Sequence, residues 1–219
     1  MKITSILFDN DGLLVDSERV TFEIWQEIFT RHGYELSLED YCELTGMSEE
    51  STAAHIRQRF PGLDPYNVVF AEWDARYEKL APAGGVPLKK GAIELIDYCD
   101  RHGLRKAVAS SNSLYWIKTL LGVHGVFERM DAVSHSKLVE RGKPAPDLFL
   151  KAAELLGSEP SECIVLEDSS NGIRAAHAAG MIPICIPDLR HPSPDILDLC
   201  AAVLPDLGSV ADWLDQNSD

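Results

Sequence analysis

Two aspartates separated by a single residue follow an apolar run near the start of the chain. Residues 6–8 read Ile-Leu-Phe, Asp9 and Asp11 come next, and Gly12 follows directly. A short run of this kind is typical of a strand buried on both faces, and the glycine indicates that the backbone then turns. Ligands of doubly wound sheets bind at the carboxyl ends of the strands. We therefore expect Asp9 and Asp11 to lie in a ligand-binding crevice.

Polar residues follow the later predicted strands in the same way. Ser110, Ser111 and Asn112 follow the run "KAVA", residues 106–109, and the run "CIVL", residues 163–166, is followed by Glu167 and Asp168. A basic residue, Lys143, stands in "RGKP" before a predicted helix. In a parallel sheet these groups converge on one edge.

The chemistry of such a cluster follows from its charges. Carboxylates gathered at one spot repel one another, so Asp9, Asp11, Glu167 and Asp168 need a cation. Oxygen ligands without histidine or thiolate favour Mg²⁺ over zinc. Lys143 and the Ser110 hydroxyl offer positive charge and a donor to an incoming anion. The set indicates phosphoryl transfer, although each residue taken alone is also typical of a turn or a helix cap.

The order of the predicted elements indicates the fold. A block without strands, residues 17–84, separates the first strand from the rest, and "APAGGVPLKKG", residues 81–91, follows as a linker. Helices and strands alternate after it, which is typical of a parallel sheet covered by helices. We expect an α/β fold, a doubly wound parallel sheet formed by residues 1–16 and 85–219, with an inserted all-helical cap at residues 17–84.

The composition narrows the classes of binding partner and the expected cellular location. A formal net charge of −15 argues against nucleic acid and anionic membranes. The five cysteines are widely spaced and are expected to be free thiols. The apolar run near the N-terminus breaks at Asp9, too early for a signal sequence or a membrane span, so we expect a cytoplasmic protein. Nothing in the sequence demands more than a monomer.

Four motifs carry a family resemblance. "DNDG", "VASSNS", "GKPAPD" and "VLEDSSNG" resemble, in their usual order, the motifs of the haloacid dehalogenase superfamily, and the helical insertion resembles that family's cap domain. The resemblance implies a Rossmann-like core. It also implies that Asp9 is the nucleophile that forms an aspartyl-phosphate and that Asp11 is the general acid and base.

The same resemblance assigns the remaining residues. Ser110 and Lys143 would hold the transferring phosphoryl group, with Ser111 and Asn112 as further phosphate- or substrate-binding candidates. Mg²⁺ would be bound by the Asp9 side chain, the Asp11 backbone carbonyl and Asp168, with Glu167 as a further or water-mediated ligand.

Within the family, "DGLLVDSE" and "TGMS" resemble the branch of β-phosphoglucomutases and sugar-phosphate phosphatases. The cap loop at residues 45–50 lacks the arginine of the mutase, and Thr21 stands where the mutase has a histidine. We therefore expect a Mg²⁺-dependent phosphatase acting on a small phosphorylated metabolite, with a sugar phosphate favoured. A hexose phosphate mutase is the alternative. A non-enzymatic phospho-acceptor module is a second one, although such receivers are about half this length and lack a cap.

Overall fold

The computed structural model describes residues 1–217. Packing divides the chain into two units, one formed by Met1–Asp16 together with the chain from Pro87 onward, and the other by Ser17–Val86. The chain passes from one unit to the other between Asp16 and Ser17 and between Val86 and Pro87. From the sequence we expect the helical insertion at residues 17–84.

The first unit contains a six-stranded sheet in which every strand pair is parallel. Its order is β3-β2-β1-β4-β5-β6, with bounds β1 Ser5–Phe8, β2 Arg105–Ser110, β3 Ala132–His135, β4 Cys163–Glu167, β5 Ile182–Cys185 and β6 Ala202–Val203. The chain extends the sheet from β1 in one direction and then returns to β4 on its other side. This reversal creates a crevice at the carboxyl ends of β1 and β4.

The helical unit carries the first four α-helices. They are α1 Ser17–Arg31, α2 Leu38–Leu44, α3 Glu49–Arg59 and α4 Ala71–Leu80. The sequence predicts one helix over residues 66–80, but the structure has a π-helical segment at Pro65–Phe70 before α4. Asp64 caps this segment by accepting from the amides of Tyr66 and Asn67, and Pro65 occupies its first position.

The remaining helices belong to the sheet unit. They are α5 Ala92–His102, α6 Leu114–Gly122, α7 Asp147–Leu156, α8 Ser170–Ala178, α9 Pro194–Leu197 and α10 Ser209–Asn217. Strands β1 and β4 are buried along their whole length, as the apolar runs predict. The doubly wound α/β fold expected from the sequence is therefore confirmed.

The two segments that cross between the units run side by side in the sheet unit. The Asp16 amide donates to the Pro87 carbonyl at 2.9 Å, and the Lys89 amide donates to the Leu14 carbonyl at 2.9 Å. Val15 and Leu88 form an antiparallel bridge between these bonds. The segments form a short two-stranded ribbon.

No helix within residues 1–217 is both long enough and apolar enough to cross a bilayer.

Candidate active site

Three carboxylate-bearing residues meet at the carboxyl ends of β1 and β4. Asp9 directly follows β1, and its amide donates to the Leu166 carbonyl of the neighbouring strand at 3.1 Å. Glu167 ends β4 and Asp168 follows it. One oxygen from each of Asp9, Glu167 and Asp168 lies within 4.8 Å of the other two. Parallel pairing of β1 and β4 in register produces this convergence.

Lys143 lies between two of these carboxylates. Its ammonium is 2.8 Å from Asp9 Oδ1 and 2.5 Å from Glu167 Oε1, and its side chain is only 7% exposed. Burial by itself would lower the pKa of Lys143, but the charges of Asp9 and Glu167 outweigh it and hold the pKa above its usual value. The lysine is therefore charged, and its role in binding an incoming anion stays a prediction.

Glu167 is held rigidly at its other oxygen. The Ser169 amide and hydroxyl both donate to Glu167 Oε2, at 3.0 and 2.9 Å. Ser169 also caps α8, because its hydroxyl accepts from the Gly172 amide at 3.0 Å. A Cβ on Gly172 would lie 1.9 Å from the Glu167 carboxyl carbon, so the helix start has room for this carboxylate only with glycine.

Burial and neighbouring carboxylates raise the pKa values of two acidic groups in the cluster. Desolvation raises the pKa of Asp9 to about 7, and although Lys143 opposes the shift, Glu167 and Asp11 add to it. Desolvation, Glu167 and Asp9 likewise raise the pKa of Asp168 well above its ordinary value. A bound divalent cation would reverse these shifts, since it favours the ionised carboxylates. The donor set of carboxylate oxygens fits Mg²⁺.

Asp11 belongs to a second group of contacts beside Asp9. Its carboxylate accepts from the side-chain amides of Asn10 and Asn112 at 3.2 and 3.0 Å. The Ser110 hydroxyl lies 3.5 Å from the same oxygen and accepts from the Asn112 amide at 3.0 Å. Ser111 is exposed in the turn between β2 and α6. The structure thus brings Ser110 and Asn112 to Asp11 and Lys143 to Asp9, and it leaves Ser111 at the surface.

The sequence interpretation missed a further charged group. Lys89 lies 2.5 Å from Asp188 and 3.3 Å from Asp16, all three with mostly buried side chains. Gly12 has a φ of 74°, and a Cβ there would lie 2.7 Å from an Asp168 oxygen and 3.1 Å from an Asp188 oxygen. The Asp188 carboxylate therefore lies beside that of Asp168. The strand-end rule that selects Asp9 also fits Asp188, which follows β5 after two residues.

The helical unit has a cavity of its own, of about 340 Å³. Its lining includes Glu18, Glu49 and Asp74 together with the rings of Trp25 and Trp73, and among the described residues that line it there is no Lys, Arg or His. A lining that carries three carboxylates is an unfavourable environment for a phosphate group.

A protein-family comparison agrees with these motifs. Residues 6–186 match the family described as haloacid dehalogenase-like hydrolase. The chain belongs to this family. The matched segment contains Asp9, Asp11, Ser110, Lys143, Glu167 and Asp168, so the four motifs and the cap insertion all fall inside it.

Two individual relatives each match more than four fifths of the chain. It is 30% identical over 183 residues to the fructose-1-phosphate phosphatase YqaB of Escherichia coli, covering 82% of this chain and 94% of that protein. It is 34% identical over 189 residues to SUPPRESSOR OF QUENCHING 1, a chloroplastic protein of Arabidopsis thaliana, and this match covers 84% of the chain but only 18% of the relative.

Among solved structures, the chain is similar to CbbY from Rhodobacter sphaeroides, a D10N mutant crystallised with xylulose-(1,5)bisphosphate. The TM-score is 0.72 at 27% identity, with 94% of this chain and 95% of that chain covered. The similarity to this solved structure therefore extends along nearly the whole chain.

Proposed function

We propose that the protein is a Mg²⁺-dependent phosphatase that hydrolyses the monophosphate ester of a small metabolite, a sugar phosphate above all, through an aspartyl-phosphate on Asp9. The observation that carries the proposal is the buried cluster in which Lys143 bridges Asp9 and Glu167, at 2.8 and 2.5 Å, beside Asp168. Family membership and the relatives named as phosphatases support it.

The residues divide the reaction into two displacements. An Asp9 oxygen attacks phosphorus and forms a new O–P bond while the ester P–O bond breaks, and Asp11 gives its proton to the departing alkoxide. Asp11 then takes a proton from a water molecule whose oxygen attacks the same phosphorus. The bond to Asp9 breaks, and inorganic phosphate and the free carboxylate are released.

Positive charge beside Asp9 makes these steps feasible. Two anions, a carboxylate and a phosphate, must approach each other in a buried site, and Lys143 provides fixed positive charge beside Asp9. Mg²⁺ held by the Asp9 side chain, the Asp11 backbone carbonyl and Asp168 would supply the rest of the positive charge. Glu167, engaged at both oxygens by Lys143 and Ser169, keeps the lysine in place.

The lining of the helical unit favours a hydrolase over a mutase. A mutase has to retain a doubly phosphorylated intermediate, which calls for a cation at the second phosphate. The cavity of the helical unit carries Glu18, Glu49 and Asp74 and, among the described residues that line it, no cationic side chain.

A substrate panel tests the proposal. The protein would be incubated with Mg²⁺ and hexose, pentose and three-carbon monophosphates, with a sugar bisphosphate for comparison, and phosphate release would be measured. We expect release from monophosphates that Asp9→Asn abolishes and Asp195→Asn, a change at an exposed carboxylate, leaves intact. No release from any ester, isomerised product without release, or a stable stoichiometric phosphoprotein would each overturn the hydrolase assignment.

A further inference from the structure

Two of the five cysteines share one apolar cluster in the sheet unit. Cys185 ends β5 and is fully buried, whereas Cys200 lies between α9 and β6 and is partly exposed. Cys185 packs with Ile173 and Ile196 in a small core, and Cys200 packs against the same core. The structure therefore places one accessible and one inaccessible sulfur in the same cluster.

Backbone hydrogen bonds hold the Cys200 segment against β5. The Ala201 amide donates to the Pro183 carbonyl at 2.8 Å, and the Leu204 amide donates to the Cys185 carbonyl at 2.9 Å. The two thiols are close enough to affect each other's ionisation: Cys200 raises the pKa of the Cys185 thiol, and Cys185 lowers the pKa of the Cys200 thiol. The Cys200 thiol itself is directed to the Ile196 carbonyl, 3.8 Å away.

We propose that Cys185 and Cys200 form an oxidation site that closes to an intramolecular disulfide when a peroxide reaches Cys200. The Cys200 thiolate attacks one oxygen of hydrogen peroxide, which gives a sulfenic acid and hydroxide. The Cys185 sulfur then attacks the Cys200 sulfur, the S–S bond forms, and the sulfenic oxygen leaves as water with the Cys185 proton. The two thiols are oxidised together by two electrons, and one peroxide is reduced to two waters.

The roles of the two sulfurs follow from their surroundings. Cys200 is the one that a small oxidant can reach, and the neighbouring Cys185 lowers the pKa of its thiol, which favours the nucleophilic thiolate. Cys185 is buried and serves as the resolving thiol. Cys99 and Cys163 are buried as well, and Cys42, which is partly exposed, belongs to the helical unit.

Peptide mapping gives a direct test, because trypsin separates the two cysteines at Arg190. Cleavage after Arg174 and Arg190 places Cys185 in peptide 175–190 and Cys200 in peptide 191–219. After treatment of the native protein with hydrogen peroxide, we expect two of the five thiols to be lost and the mass to fall by about 2 Da, the two hydrogens removed. The two peptides should then appear joined, and a reducing agent should separate them.

Variants make the test specific. Cys200→Ser should abolish the cross-linked peptide, and Cys42→Ser, the matched change at the other partly exposed thiol, should leave it unchanged. Cys185→Ser should leave a Cys200 sulfenic acid that a dimedone probe labels. Wild-type protein that retains all its thiols, gains oxygen at Cys200 without a cross-link, or forms only intermolecular disulfides would overturn the proposal. None of these readouts depends on phosphatase activity.

Discussion

The side-chain amide of Asn112 donates a 3.0 Å hydrogen bond to the carboxylate of Asp11. The two residues follow different strands and lie 101 positions apart in the sequence. The sequence interpretation placed Asn112 among the phosphate- or substrate-binding candidates, whereas this contact orients the proposed acid and base. We therefore propose that Asn112 positions Asp11, and its role in binding phosphate or substrate stays a prediction.

Asn112→Ala should lower kcat about tenfold and leave KM nearly unchanged, because it releases one of the donors that fix Asp11 without removing a substrate contact. The measurement is steady-state kinetics on the best substrate of the panel. Ser111→Ala, at the exposed neighbour, is the control and should be silent. A rise in KM at constant kcat would instead assign Asn112 to substrate binding.

Replacement of Lys143 by methionine should abolish turnover and destabilise the metal-free protein by about 3–5 kcal/mol, because Asp9 and Glu167 would lose their buried cation. Arg141→Met is the matched control: its ion pair with Asp147 involves a side chain that is 71% exposed, so little change in the free energy of unfolding is expected. Urea unfolding measures both values. Equal losses in the two variants would contradict a buried role for Lys143.

Gly172→Ala should displace Glu167, since the new Cβ would lie 1.9 Å from its carboxyl carbon, and we expect weaker Mg²⁺ binding as well as a lower melting temperature. Gly122→Ala offers a control at another helical glycine, where a Cβ meets nothing within 4 Å and the helix should gain up to about 1 kcal/mol. Calorimetric titration with Mg²⁺ and thermal unfolding read the two effects. A lower melting temperature with unchanged metal affinity would restrict Glu167 to holding Lys143 and exclude it as a further metal ligand.

The stability of the metal-free protein should fall as the pH rises from about 5 to 7.5. Burial raises the pKa of Asp9 from 3.8 to about 7, so in this range the unfolded chain has released a proton that the folded chain retains. The free energy of unfolding then decreases with pH. Mg²⁺ requires ionised ligands and should raise the melting temperature more at the higher pH.

Thermal unfolding at both pH values, in EDTA and in excess Mg²⁺, measures this linkage. Asp9→Asn should show a shallower pH slope without metal and a smaller Mg²⁺ shift. The same Mg²⁺ shift at both pH values, or an unaltered slope in the variant, would contradict the assignment.

The sequence was sufficient to predict those structural features that depend only on neighbouring residues. Apolar runs ending in carboxylates predicted the strands that carry Asp9 and Glu167, because a parallel strand buried on both faces has few other compositions. The caps at Ser37 and Asp64 are features of the same kind, since each depends only on residues within three positions.

Contacts between distant side chains could not be read in this way. The Lys89 ion pairs with Asp16 and Asp188 join three separate segments, and the π-helical segment at Pro65–Phe70 depends on packing that periodicity does not record. Asn112 likewise carries the right residue type for phosphate binding, and only the coordinates reveal its bond to Asp11.

The ribbon formed by Leu14–Asp16 and Pro87–Lys89 has an evolutionary consequence. Since Asp16 and Pro87 are already joined by a hydrogen bond, the chain leaves and re-enters the sheet unit at neighbouring points. A tight turn could replace the seventy or so intervening residues without breaking any strand pairing of the sheet. Such a junction would allow the length of the insert to change during evolution while the strands that precede Asp9 and end at Glu167 keep their register.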